Sequence, residues 1–183
     1  IREHQHRGLP LAAAAVLYRS NAQSRTFEEV LMASRIPYRV YGGLRFFERA
    51  EIKDALSYLR LTQSRADDIA FERVVNLPTR GIGARTVDLV REQARAAGVS
   101  MWRGAAALIA EGTLAKRAAE SLWAFLNLID TVDNDTRGDA LHEQVARVIE
   151  RAGLVAHHGK SKDPGGEARV ENLEELINAA REV

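Results

Sequence analysis

FERVVNLPTRGIGARTVDLVR, residues 71–91, decides how this chain is read. Phe71, Val74 and Val75 share one face of a segment that Asp67 or Asp68 can cap, a helix expected to run to Asn76. Val87, Val90, Ala94 and Ala97 repeat at three- and four-residue spacing until Gly98 stops them. Between these two amphipathic helices, Pro78 to Gly83 reads as a tight turn. Gly81 and Gly83 permit backbone angles closed to other residues, and Ile82 can plug the groove between the helices. The amides of residues 81–84 are then expected to lie uncovered at the N-terminus of the following helix. Unpaired N–H groups and the helix dipole both favour an anion there, and Arg80, Arg85 and the Thr86 hydroxyl can close around it.

Such a turn resembles the helix-hairpin-helix motif, which grips a phosphate backbone rather than bases. A plain helix–helix connection uses the same residue types, and Gly-x-Gly alone is a weak signal. Helices continue on both sides. Ala50 to Leu61 places Ile52, Ala55, Leu56 and Leu59 inward, and Arg49, Lys53, Ser57 and Arg60 along another face. That row can follow a phosphate backbone. It reads equally as a solvated face with Glu48, Glu51 and Asp54 as neighbours. Further on, helices are expected over Ser100–Ala110, Leu114–Val132 and Leu141–Ala152, and from Val170 onward, with HGKSKDPGGEAR (158–169) as a loop. Before Gly43 the pattern differs. Leu11–Leu17 is a continuous apolar run, read as a strand with helix as the alternative. A helix follows, capped by Asn21 or Ser24 and carrying Phe27, Val30 and Leu31 on its apolar stripe. Tyr38–Tyr41 then reads as a short strand, broken by Gly42-Gly43. The fold class is therefore mainly α, with a short N-terminal βαβ stub.

Composition bounds the chemistry. The 183 residues carry 26 Lys+Arg against 25 Asp+Glu, net +1, and 46% are apolar, enough to build a core. Residues 35–103 hold 13 basic and 8 acidic groups, net +5, whereas residues 104–183 hold 9 and 14, net −5. The middle third suits a polyanion and the last third does not. Arg far outnumbers Lys, which suits bidentate phosphate contact but also follows from nucleotide composition. With no cysteine, disulfides, thiolate metal sites and cysteine nucleophiles are excluded. No apolar run is long enough for a membrane span, and the N-terminus lacks a signal peptide, so a cytoplasmic protein is expected. His4, His6, His157 and His158 have no carboxylates at metal spacing, and no catalytic constellation is apparent. Gly159-Lys160-Ser161 imitates the end of a P-loop, but five residues separate it from Gly153 where four are required. Tyr18 to Arg25 lies at a strand-to-helix junction, where α/β folds place ligands. Arg19, Ser20 and Asn21 suit the phosphates of a single strand there, although Asn21 can equally be a helix cap.

LYRSNAQSR (17–25), IPYRVYGGLRFFERAEIKDALSYLRL (36–61), residues 71–91 and NLEELINAAREV (172–183) together resemble the UvrD/Rep/PcrA family of bacterial superfamily 1A DNA helicases. The resemblance covers nearly the whole chain and is densest over 16–91. It implies an ATP-dependent enzyme moving 3′→5′ on single-stranded DNA, with ATP and Mg²⁺ as cofactors of the parent protein and none in this stretch. Residues 1–41 would be part of the RecA-like 2A domain, and 42–183 a helical 2B subdomain, truncated at its C-terminus. By that matching Arg19 and Asn21 touch single-stranded DNA. Gly81, Ile82, Gly83 and Thr86, with Arg80, grip duplex DNA, and Lys53 and Arg60 add duplex contacts. No catalytic and no metal-binding residue is expected, because the ATPase motifs are absent, so this stretch alone would be inactive. The expected partners are a single-strand/duplex DNA junction, the remainder of the helicase motor, and repair or replication proteins, with no membrane. A rival reading is a protein-interaction and autoregulatory module, served by the acidic last third. A remoter one is a free-standing helix-hairpin-helix protein. Ile at position 1 suggests a piece of a longer chain.

Overall fold

The computed structural model describes residues 1–40, 45–159 and 165–181. The chain divides into two compact units, Ile1–Phe46 and Phe47–Val183.

The first unit contains α1 (Arg2–His6), a 3₁₀ turn at Leu11–Ala13, a second at Asn21–Gln23, and α2 (Ser24–Ala33). Neither expected strand forms among the described residues. Leu11–Ala13 closes a 3₁₀ turn, the backbone runs on extended from Ala14, and residues 38–40 are irregular; Tyr41, Gly42 and Gly43 lie outside the described residues. An apolar run becomes a strand only when a ladder partner takes its N–H and C=O groups. The cap of the Asn21 turn is Ser20, whose hydroxyl accepts from the Ala22 amide at 3.3 Å, while Gln23 Oε1 accepts from the Arg19 and Ser20 amides. The α2 stripe also departs from expectation. Phe27 and Val30 are 40% and 60% exposed, and Leu17 is 93% exposed. The buried positions are instead Ser24, Arg25 and Glu28, and Glu28 accepts from the Tyr38 hydroxyl and the Phe46 amide.

The second unit is helical wherever it is regular, in eight helices among the described residues. They are α3 (Ala50–Gln63), α4 (Asp68–Val74), α5 (Ala84–Ala97), α6 (Met101–Glu111), α7 (Lys116–Asp135), α8 (Leu141–Ala152), α9 (Leu154–Gly159) and α10 (Gly166–Ala179). Local chemistry sets the ends. Asp67 accepts from the Ala70 amide at 2.9 Å, and Ser100 caps α6. Gly98, Gly112 and Gly153 terminate α5, α6 and α8 in the left-handed region. Helix α3 is central, packing on α4, α7, α8 and α10. Ile52, Ala55, Tyr58 and Leu61 are its buried apolar side chains, whereas Leu56 and Leu59, expected inward, are only partly covered. Phe125 of α7 meets Tyr58 and Phe71 edge-on, at 6.4 and 5.6 Å between ring centroids. Each such ring contributes about 2 kcal/mol through burial. The expected 158–169 loop is shorter than the sequence suggested: His158 and Gly159 end α9, and α10 begins at Gly166.

Polar groups stitch distant helices together. The Asn172 carboxamide accepts from Arg49 at 2.8 Å and donates to Glu51 at 2.6 Å, all three buried. Asp54, 2% exposed, takes Arg73 Nε at 2.8 Å. His158 Nε2 lies 3.4 Å from the other Asp54 oxygen without forming a hydrogen bond. Asp54→Ala is expected to lower the urea midpoint by an amount equal to about 2 kcal/mol. Stranding a buried cation costs more than that, but Arg73 keeps 35% of its side chain in solvent. An unchanged midpoint would show that the pair contributes nothing.

Candidate nucleic-acid interface

The connection from α4 to α5 is built around one side chain. Asn76 Oδ1 accepts from the Arg80 amide at 2.8 Å and the Ile82 amide at 3.2 Å. Ile82 is 1% exposed and plugs the helix pair, as its position between two glycines suggested. Gly81 sits at φ +80°, in the region that favours glycine. Gly83 precedes α5 with ordinary extended angles, and its two following contacts are the Thr86 and Val87 amides on its carbonyl. The expectation of four uncovered amides over 81–84 is therefore corrected, because the Ile82 N–H is spent inside the turn. The N–H groups of Gly81, Gly83, Ala84 and Arg85 have no acceptor among the described residues. A Cβ added at Gly83 would meet nothing within 4 Å, and one at Gly81 only Ser121 Oγ of α7, at 3.6 Å. The turn thus faces open space beside α7, along a cleft of about 460 Å³ lined by Arg80, Glu120, Ser121 and Ala124.

Arg80 lies otherwise than expected. Its guanidinium donates to the Pro78 and Ala152 carbonyls and sits over the rings of Tyr58 and Phe125, 5.6 and 5.7 Å from their centroids. It braces the turn while lining the cleft beside α7. Tyr58 completes this brace, donating its hydroxyl to the Val74 and Leu77 carbonyls. Burial, the dominant cause, pushes its pKa well above the usual tyrosine value, so the donor proton is retained. Tyr58→Phe is expected to cost about 1–2 kcal/mol in chemical denaturation, since it strands the Leu77 carbonyl, while the Val74 carbonyl keeps the Leu77 amide. Arg85 is the arginine that remains on the outside, exposed and without a protein partner among the described residues. The Thr86 hydroxyl, on a half-buried residue, is likewise unclaimed.

The α3 row is reduced by the fold. Arg49 is buried on Asn172, and Ser57 is buried with its hydroxyl donating to the Lys53 carbonyl at 2.7 Å. Lys53 and Arg60 remain exposed, two turns apart, with no ion-pair partner among the described residues. Two of the three acids expected to neutralise this face, Glu51 and Asp54, are instead interior. In the first unit Arg19 and Asn21 are both exposed, flanking the Ser20 cap. No group of three or more His, Asp or Glu side chains forms a metal-holding cluster among the described residues. Among the described residues no helix is long and apolar enough to cross a membrane. Lys160 and Ser161 of the incomplete P-loop pattern lie outside the described residues. Sequence reasoning missed Asn76 and Ser121. Nothing local marks an Asn as a turn clamp, and Ser121 reaches the turn from 40 residues away.

The geometry defines a class first, a helical module whose accessible main-chain donors cluster at a glycine turn. Comparison supplies the family. The model of the UvrD-like helicase C-terminal domain matches residues 1–183, and the chain belongs to that family. It is 52% identical to DNA helicase II of Escherichia coli (strain K12) over 182 residues, all of this chain and 25% of that protein. It is 49% identical to DNA helicase II of Haemophilus influenzae, and 34% identical to the ATP-dependent DNA helicase PcrA of Staphylococcus aureus (strain Mu50), each with 100% and 25% coverage. The chain spans about a quarter of the length of these relatives.

Proposed function

We propose that this chain is the DNA-gripping portion of an ATP-dependent 3′→5′ helicase, with residues 42–183 forming its 2B subdomain and the preceding residues part of motor domain 2A. The observation that carries this reading is the outward row of unclaimed amides at Gly81, Gly83, Ala84 and Arg85, on a turn where no side chain stands in the way. Such donors at a helix start take phosphate oxygens. Arg85, with Lys53 and Arg60, supplies the cationic surroundings, and Thr86 a further donor. Arg80 serves as a brace in this reading. Arg19 and Asn21 are proposed to touch the single strand. Nucleotide chemistry, with ATP and Mg²⁺, belongs to the remainder of such a motor. The exposed Phe27, Val30 and Leu17 side chains offer that remainder an apolar surface. A cytoplasmic location and a role in DNA repair are part of the same proposal.

The test is a fluorescence anisotropy titration of the full-length protein on a single-strand/duplex junction at several salt concentrations. If Lys53, Arg60 and Arg85 each meet a phosphate, the duplex contribution to the log–log salt slope is about −3. Lys53→Ala and Arg60→Ala should each flatten it by about 1 and weaken all sequences alike. Slopes unchanged by both substitutions would remove α3 from the interface. The second reading, an interaction and autoregulatory module, draws support from the net −5 of residues 104–183 and from Trp123 of α7, 57% exposed. Under that reading Trp123→Ala alters unwinding control while junction affinity stays constant.

A further inference from the structure

We propose that Asn76 is the positioning residue of the grip, selecting which amides of the turn face a phosphate. The inference rests on the duplex-gripping reading above and adds to it the residue that sets the donors' directions. One carboxamide oxygen collects the N–H groups of Arg80 and Ile82. The intervening Gly81 and the following Gly83 are exposed, and their N–H groups have no acceptor among the described residues. Acceptors thus alternate along the turn, with Asn76 serving residues 80 and 82 and leaving 81 and 83 for a ligand. Neither inward N–H has a backbone acceptor among the described residues, so without Asn76 both would have to find water or a phosphate themselves. For Ile82 that conflicts with a side chain that is 1% exposed. The turn would gain conformations in which the outward amides diverge, and a ligand would have to reorder them on binding.

The chemistry also favours Asn over its acidic isostere. Asp would accept the same two N–H groups but would place a negative charge directly behind an anion site. The Asn76 Nδ2 hydrogens have no acceptor among the described residues, and Asn76 is only half-buried. The neutral amide therefore holds the turn and leaves two more donors on its flank. Tyr58 and Arg80 brace the carbonyl side of the same segment, whereas Asn76 alone orders its N–H side.

The full-length protein, its Asn76→Ala and Asn76→Asp variants, and Gly83→Val as a reference are compared by three measurements. These are amide hydrogen exchange across residues 76–86, affinity for a single-strand/duplex junction, and affinity for a single strand. Asn76→Ala is expected to expose the Arg80 and Ile82 amides to exchange and weaken junction binding about tenfold, about 1.4 kcal/mol, with single-strand affinity within about twofold. Asn76→Asp keeps the protection. Its deficit in junction affinity relative to the unsubstituted protein shrinks as salt screens the added charge, while the Asn76→Ala deficit stays constant. Wild-type junction affinity in Asn76→Ala, alongside a loss in Gly83→Val, overturns the role of Asn76 and leaves the grip standing. Wild-type affinity in Gly83→Val as well overturns both. Equal losses on junction and single strand in Asn76→Ala, with a lowered melting temperature, reduce Asn76 to a fold-holding residue and also overturn the proposal.

Discussion

Gly83→Val is expected to leave the protein folded and to remove most of its hold on a single-strand/duplex junction, by about thirtyfold or more. The first half follows from geometry. Gly83 has φ −76° and ψ 164°, angles that valine adopts readily, and a Cβ there meets nothing within 4 Å. The cost to the start of α5 is at most about 1 kcal/mol, a shift in Tm of about 2–4 °C. The second half follows from what occupies the space. A branched side chain would stand over the Gly83 and Ala84 amides, where a phosphate has to approach. Losing two hydrogen bonds to a charged group is worth about 2 kcal/mol or more, hence the thirtyfold figure. Anisotropy titration at low salt measures it, and equal affinities would mean that the turn does not meet the duplex.

Gly104→Val should do the reverse, damaging the fold before anything else. Gly104 lies on α6 where it crosses α5, and a Cβ there would sit 3.0 Å from the Ala94 nitrogen, 3.0 Å from the Val90 oxygen and 3.1 Å from the Ala94 Cβ. Two of these atoms are backbone and cannot rotate away. The helices must separate, and overpacking of this kind costs roughly 3 kcal/mol, a fall in Tm of about 6–12 °C. A glycine inside a helix is itself about 1 kcal/mol worse than alanine, and close helix approach explains its presence. Calorimetry with an unchanged transition would show that α5 and α6 do not approach so closely. The two glycine substitutions thus separate binding from stability, although Gly83 and Gly104 both border α5.

The helical unit was legible because its periodicity is local. Leu122, Phe125, Leu126, Ile129 and Val132 were expected inward on α7, and all five are buried. Asp67, Ser100 and Gly98 mark helix ends by chemistry that acts within one turn. The N-terminal strands do not form among the described residues, because strand formation depends on partners elsewhere, and much of the α2 stripe is exposed for the same reason. At the candidate site, Ile82 lies between two glycines and is buried, a placement that its apolar side chain favours locally. The direction of Arg80 was not legible, since it depends on a carbonyl at Ala152, 72 residues away. The pairing of Arg49 and Glu51 with Asn172 spans more than 120 residues and leaves no local trace. It takes Arg49 out of an apparent cationic row and into the interior.

That same Asn172 contact has a consequence for the order of assembly. Arg49 and Glu51, at the start of α3, gain this buried hydrogen-bond partner only when α10 has docked. That contact joins positions more than 120 residues apart, so this corner of the unit closes late in folding, after the local helices have formed.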